Sequence, residues 1–228
     1  MIEAFRVGAV CRNGTLWDGL DLAFGDGEAW AVTGPPGSGK TVLLRILRGE
    51  QRPDAGDVVV GGRSLFRGGP AANREFRASS AVVPESFPPG AGRTVDDLFR
   101  LAAAASFHIP ASERKEREEE LLALVGLPGA QRWDLSSLSI SERARVSLAA
   151  ELFRGPGYLF ADMLLLNAGR EWADMLRALF RALAREGKTI VLAERSIPEG
   201  WKGPEDGRGL ARGPFLLYPV AGGGVGAR

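Results

Sequence analysis

A chain of 228 residues, 45% hydrophobic and 25% charged, can bury a substantial core and lies near the upper range for one domain, two tightly packed lobes being the alternative. Its 29 Lys and Arg against 28 Asp and Glu leave a net charge of +1, which excludes a global basic field drawing it to nucleic acid or anionic lipid, though not a local basic patch. One cysteine, Cys11, excludes an internal disulfide and reads as a small core residue. No apolar run approaches membrane-spanning length, and Glu3 and Arg6 interrupt the stretch that a secretory signal would need, so the cytoplasm is expected and any membrane contact goes through a partner.

Residues 4 to 33 contain short β-like runs, AFRVGAV and LDLAF, and the turn Gly25-Asp26-Gly27 leads into a strand at Ala29 to Val32. This reads as an antiparallel flank on an α/β core. The next eight residues, 34 to 41, are GPPGSGKT, set between that strand and a helix-like run from Val42 to Leu47. A G-x-x-x-x-G-K-T segment so placed turns its backbone N–H groups around a polyphosphate, at a helix N-terminus whose partial positive charge favours anions. Gly34, Gly37 and Gly39 let the backbone approach closely, with Ser38 between the last two. Lys40 offers a point charge to the outer phosphates and Thr41 a hydroxyl to Mg²⁺.

Beyond the first helix, Pro53-Asp54-Ala55-Gly56 marks a turn, Asp57 to Gly62 a short β-branched strand and Ser80 to Val83 another. From Thr94 to Gly126 the character is helical, with the charged stretch Glu113 to Glu120 read as a solvated face and Gly126 as the stop. Tyr158 to Ala161 is a continuous apolar run ending in Asp162, as expected of a central parallel strand whose C-terminal end faces a ligand. Trp172, Met175, Leu176, Leu179 and Leu183 recur at helical spacing and read as core; Gly187 closes that helix and Thr189 to Ala193 forms another strand. The stretch from Pro198 to Gly213 is rich in Gly, Pro and charge, PFLLYPV reads as a returning edge strand, and GGGVGAR as a frayed end.

This order of motifs resembles the ATP-binding cassette (ABC) family, specifically the single-domain ATP-binding subunits of bacterial transporters, over nearly the whole chain. Besides the phosphate loop, the resemblance rests on PDAGDVVVGG, GRTVDDLFRL, LLALVGLPG and LSSLSISERARVSLAAELFRGPGYLFAD, the last similar to that family's signature helix and Walker B strand. It implies an α/β P-loop NTPase fold: a RecA-like parallel core sheet with an antiparallel β flank at 1–85 and 153–228, and a helical subdomain at 86–152. It also implies a head-to-tail dimer with two ATP molecules at its interface.

Several positions depart from the family pattern. Where members place a Glu after the Walker B Asp to polarise the attacking water, this chain has Met163, and a thioether cannot act as a base. Losing a positioned base costs about 10²- to 10⁴-fold in rate. Asp162 remains to hold Mg²⁺ directly or through water. The glutamine loop aligns with Val83-Pro84-Glu85, so that its Gln becomes Glu85, a carboxylate still able to ligate the metal. The switch histidine aligns with Arg195, a permanent cation that cannot shuttle a proton near neutral pH. The single histidine, His108, falls in the helical subdomain and reads as a surface or core residue. No aromatic stands at the adenine-stacking position near Cys11 and Arg12; Arg12 is the alternative platform.

The signature segment, usually LSGGQ, reads LSISE from Leu138 to Glu142. In the family this helix N-terminus meets the γ-phosphate held by the opposite subunit, which makes Ser139 a nucleotide contact. Ser139 and Glu142 also match the S-x-x-E capping box of an ordinary helix, and both readings stay open. The resemblance thus implies an ATP-binding subunit of a bacterial membrane transport complex, peripheral on the inner face of the membrane. Mg·ATP would be bound through Gly34, Gly37, Ser38, Gly39, Lys40, Thr41 and Ser139, with Thr41, Glu85 and Asp162 as metal ligands and hydrolysis weak or absent. Its partners are a transmembrane permease, docking around Glu85 to Phe99 through Phe87, Pro88, Pro89 and Leu98, and a second ATPase subunit in a homodimer or heterodimer. The alternative is a nucleotide-dependent regulator or scaffold without a transport role. With no long heptad arm and near-zero charge, no nucleic-acid partner is expected.

Overall fold

The computed structural model describes residues 1–12, 14–83, 91–104, 109–165, 169–197, 201, 210–212 and 214–221. The chain divides into two compact units, one formed by 1–80 and 157–228, the other by 81–156.

In the first unit, β1 (Ile2–Cys11), β2 (Gly14–Phe24), β4 (Ala55–Val60) and β5 (Arg63–Ser64) form an antiparallel sheet in the order β2-β1-β4-β5. Ile2, Ala4, Val7 and Ala9 bury one face of β1 and Trp17, Leu20, Leu22 and Phe24 that of β2. The alternation slips at Arg6, whose φ is +46° and whose N–H donates to Asp21 Oδ1 at 2.8 Å. The register shifts between Ala4 and Val7, so a bulge turns the strand while Ala4 and Val7 on either side of it stay buried and Phe5 within it is exposed. Cys11 ends β1 at the hairpin, opposite Gly14, and is exposed. This corrects the core reading, because a hairpin end leaves no layer above the sheet to cover it.

The other sheet of this unit places β3 (Ala29–Thr33) between β8 (Thr189–Glu194), parallel to it, and β10 (Phe215–Ala221), antiparallel. β7 (Tyr158–Asp162) runs parallel to β8 on its far side, and β9 (Leu210–Arg212) lies outside β10. All five residues of β3 and all six of β8 are buried, so their apolar character is continuous rather than alternating, as expected for parallel strands covered on both faces. β10 is therefore not the sheet's edge strand: β9 covers it. Pro219, which suggested an edge because it has no N–H to give, stands next to the register shift between Pro219 and Ala221, where the ladder is already broken.

Helix α1 (Lys40–Leu47) follows β3 and buries Leu43, Leu44, Ile46 and Leu47; α6 (Arg170–Arg185) buries Trp172, Leu176, Leu179 and Phe180 along one stripe. Helix α2 (Pro70–Ser79) starts with proline at its first position and buries Phe76, whose ring meets those of Tyr158 and Phe160 edge-on at 5.0 and 6.4 Å.

The second unit contains α3 (Val95–Ala104), α4 (Arg114–Leu124) and α5 (Ile140–Phe153), with β6 (Ser80–Val83) starting at the boundary and two single-turn 3₁₀ segments between α4 and α5. Val95, Leu98 and Phe99 of α3 face inward, and Phe99 packs edge-on against Phe153 of α5 at 5.4 Å. Helix α4 ends in a Schellman motif: Gly126, at φ +74°, donates its N–H to Ala123 O, and Leu127 donates to Leu122 O at 2.8 Å. The charged stretch of α4 is not uniformly solvated, since Glu118 is buried. Among the described residues no helix is long and apolar enough to cross a membrane.

Candidate nucleotide site

The site lies in the first unit, at the C-terminal ends of β3, β7 and β8. β3 delivers Thr33 to the loop 34–39, which re-enters at Lys40, the first residue of α1. Gly37 and Gly39 sit at φ +80° and +90°, which other residues rarely adopt, and these two reversals curl the loop back on itself. A Cβ on Gly39 would also lie 2.7 Å from Trp17 Nε1, so the indole of β2 closes against the loop at that point. Gly39 is the N-cap of α1 and supplies no side-chain cap, and the first turn holds no acidic residue. The N-terminal N–H groups of the helix and its positive dipole end are thus left for an external anion.

Lys40 is 8% exposed, and its ammonium donates to Gly34 O at 2.8 Å, Pro35 O at 3.0 Å and Ser38 Oγ at 3.4 Å. Burial holds it below the usual lysine range. Arg195 pushes the same way, and the carboxylates of Asp162 and Glu194 oppose it. The next residue, Thr41, donates its hydroxyl to Asp162 Oδ2 at 2.6 Å. A hydroxyl and a carboxylate oxygen side by side, next to a helix N-terminus, form the hard-oxygen donor pair that suits Mg²⁺ shared with a phosphate.

Behind this pair, β8 ends in Glu194, which is 2% exposed. Burial raises its carboxyl to about 8; the N–H groups of Leu165 and Leu164 and the charge of Lys40 pull it back, while Asp162 adds to the rise. Glu194 Oε1 accepts the Leu165 N–H at 2.7 Å. Met163, directly after Asp162, has φ +56° and donates its N–H to Ala193 O at 2.8 Å. Arg195, after Glu194, is exposed.

Of the residues singled out in the sequence, the loop glycines, Ser38, Lys40, Thr41 and Asp162 thus converge on one place. Glu85 and His108 lie outside the described residues, as do Phe87, Pro88 and Pro89. Leu98 is buried within α3 and is not free for docking. Ser139 belongs to the second unit and is the N-cap of α5: its N–H and hydroxyl donate to Glu142 Oε2 at 2.8 and 2.7 Å, and the Glu142 N–H returns to Ser139 Oγ at 3.3 Å. The capping box is therefore formed, and these bonds hold the Glu142 carboxyl below its ordinary value. Sequence reasoning gave Trp17 no part here. A bulky aromatic in β2, seventeen positions before the loop's first glycine, is the only signal available.

A phosphate loop joining a parallel strand to a helix, with the aspartate of the parallel strand two places across the sheet against its threonine, defines a P-loop NTPase fold of the ABC ATPase type. The ABC transporter family model matches residues 17–163. The chain belongs to that family. It is 32% identical over 204 residues to the methionine import ATP-binding protein MetN of Mesorhizobium japonicum, spanning 86% of this chain and 56% of that one. It is 36% identical over 195 residues to the Fe(3+) ions import ATP-binding protein FbpC of Streptomyces avermitilis, spanning 85% and 54%. The chain thus spans about half the length of these curated relatives. The dimeric structure of MJ0796, a bacterial ABC transporter cassette, superposes with a TM-score of 0.76 at 21% identity over 86% of this chain and 88% of that one, a likeness of fold.

Proposed function

We propose that this chain is the ATP-binding subunit of a bacterial membrane ABC-type transport complex, one that binds Mg·ATP and hydrolyses it slowly or not at all. The observation that supports it most is the convergence of Lys40, Thr41 and Asp162 around an uncapped helix N-terminus. When a triphosphate enters, the Lys40 ammonium turns from the Gly34 and Pro35 carbonyls to the outer phosphates, and the N–H groups of the loop and first turn take up the inner ones. Thr41 and Asp162 would hold Mg²⁺, which would supply positive charge against that of the phosphates, and Glu85 is proposed as a third ligand. The relatives named as import ATP-binding proteins support the transport setting, in which we propose a permease as partner and a position on the inner face of the membrane.

Slow hydrolysis follows from what surrounds the reacting end. Met163 has no proton to exchange, and Arg195 holds its own permanently, so neither residue activates a water. In a homodimer both nucleotide sites would combine Met163 with the Ser139 segment. In a heterodimer with a fully equipped partner each deficit falls on a different site, and at best one site turns over slowly. The self-capped Ser139–Glu142 helix favours the second reading, a nucleotide-dependent regulator or scaffold, because the Ser139 and Glu142 N–H groups are already bonded within the capping box.

Purified chain incubated with Mg²⁺ and radiolabelled ATP should retain ATP and release little ADP, and Met163→Glu should raise turnover. Rapid turnover by the native chain would remove the slow-hydrolysis reading, and absence of binding would remove the nucleotide reading altogether. Co-purification with a multi-span membrane protein favours transport; a stable partner without membrane spans favours the regulator.

A further inference from the structure

We infer that Glu194 is a positioning residue for the divalent cation of the nucleotide site, acting by clamping the backbone turn that follows Asp162. The inference rests on the proposed Mg·ATP site and extends it to a residue one layer behind the ligands.

The turn needs a clamp. β7 ends at Asp162, and the chain then reverses through Met163 at φ +56°, a conformation that an unbranched residue with a Cβ holds only when its surroundings fix it. Two consecutive residues of β8 do so: Ala193 O accepts the Met163 N–H at 2.8 Å, and Glu194 Oε1 accepts the Leu165 N–H at 2.7 Å. The first bond merely continues the β7–β8 ladder. The second is a side-chain bond, made by a carboxyl that is 2% exposed and follows the apolar run Ile190–Ala193 of the strand. A buried carboxyl is a costly way to fill a strand position unless its acceptor is needed.

Its place in the sheet explains what it is needed for. Glu194 stands in register with Thr33, the last residue before the phosphate loop, while its neighbour Ala193 stands opposite Asp162. One side chain therefore ties the turn after the aspartate to the strand that feeds the loop, and fixes the approach of Asp162 to Thr41. The charged groups acting on it are Asp162 and Lys40, and the ammonium of Lys40 suits a carboxyl in this position. Residues behind a metal ligand typically contribute about 10- to 100-fold to metal affinity.

The test uses Glu194→Gln, which keeps an oxygen acceptor for the Leu165 N–H, and Glu194→Met, which fills the same space and accepts nothing. ATP affinity of the full chain is measured by titration calorimetry with Mg²⁺ and again with EDTA, and the ratio gives the Mg²⁺-dependent gain. Thermal melting without nucleotide is recorded alongside. The expected result is a gain reduced about tenfold in Glu194→Met and restored in Glu194→Gln, with affinity in EDTA little changed in both. A purely packing role would lower the melting temperature of Glu194→Met yet leave the gain intact, and that result overturns the inference. So does a Glu194→Gln as impaired as Glu194→Met, which would make the charge rather than the acceptor responsible. If native chain binds no ATP under either condition, the proposed function fails first, an outcome separate from an unchanged gain in the variants.

Discussion

Thr41 donates its hydroxyl to Asp162 at 2.6 Å, joining two residues 121 positions apart, one in the first turn of α1 and the other at the end of β7. The bond brings a helix start and a strand end together without either contributing an apolar contact, so its value to folding is small and its value as a donor pair large. Thr41→Val keeps the shape and removes the hydroxyl. The expected outcome is a stability loss within about 1 kcal/mol, the usual net value of one hydrogen bond. A fall on the order of tenfold is expected in Mg²⁺-dependent ATP affinity, from the stronger contribution of bonds to charged groups. Urea unfolding and titration with and without Mg²⁺ measure the two effects. Equal losses with and without Mg²⁺ would show that Thr41 supports the loop rather than the cation.

Gly39 is constrained twice, by its φ of +90° and by Trp17 behind it. Gly39→Ala must place a methyl group against the indole nitrogen while holding a left-handed backbone, which alone costs about 1–2 kcal/mol. The loop can relieve the clash only by moving Trp17, whose ring also packs edge-on against Phe215 at 6.1 Å. The variant is expected to melt several degrees lower and to bind ATP more weakly. Gly37→Ala, where a Cβ meets nothing within 4 Å, should lose stability from backbone strain alone. Equal melting temperatures for the two variants would argue against the Trp17 contact.

How much of this was legible in the sequence follows the range of the interactions. GPPGSGKT and Ser139-x-x-Glu142 are local patterns whose geometry is set within a few residues, so the loop and the capping box can be read directly. That Asp162 ends a buried parallel strand is also local, because a continuous apolar run states its own burial. The failures are non-local. Residue type points Cys11 to the core, while its exposure depends on where the hairpin ends. Pro219 points PFLLYPV to a sheet edge, while its neighbour β9 comes from a Gly-rich stretch with no strand pattern. Glu118 looked solvated in a run of charges, and Glu194 at the end of TIVLAE gave no sign that its carboxyl would be enclosed and bonded to the turn after Asp162. Burial of a single carboxylate is decided by tertiary packing, which periodicity does not encode.

The closed capping box at the start of α5 yields a further expectation. Ser139→Ala removes the acceptor of the Glu142 N–H and one donor to its carboxylate, and N-cap loss of this kind costs about 1 kcal/mol. Glu142→Gln weakens the reciprocal bonds, and the double variant should lose less than the sum of the two, since both act on one motif. The Glu142 carboxyl is held below its ordinary value by the Ser139 bonds. Its contribution is therefore present above the unfolded value and lost as pH falls through the lower folded one. Urea denaturation of the four proteins at neutral pH, repeated in acid, measures the coupling. Strict additivity would mean that the box does not form in solution.

Glu118 in α4 makes the opposite pH prediction. It is 7% exposed, and its Oε1 has no hydrogen-bond partner among the described residues. Burial first, then the charge of Asp96 on α3 and of Glu119, push its carboxyl from 4.5 up to about 7, with Arg100 opposing. The folded state therefore holds this proton more tightly than the unfolded chain. Stability from the protonated group is full below about pH 4.5 and is lost as pH rises through about 7. Glu118→Gln keeps a neutral side chain at every pH, so it should match the native chain below about pH 4.5, exceed it increasingly as pH rises toward about 7, and keep a constant advantage above that. Glu194 titrates in both proteins, so the difference between their unfolding free energies isolates Glu118. A difference that stays flat from acid to mildly alkaline pH would mean that Glu118 reaches solvent and titrates as an ordinary surface carboxylate.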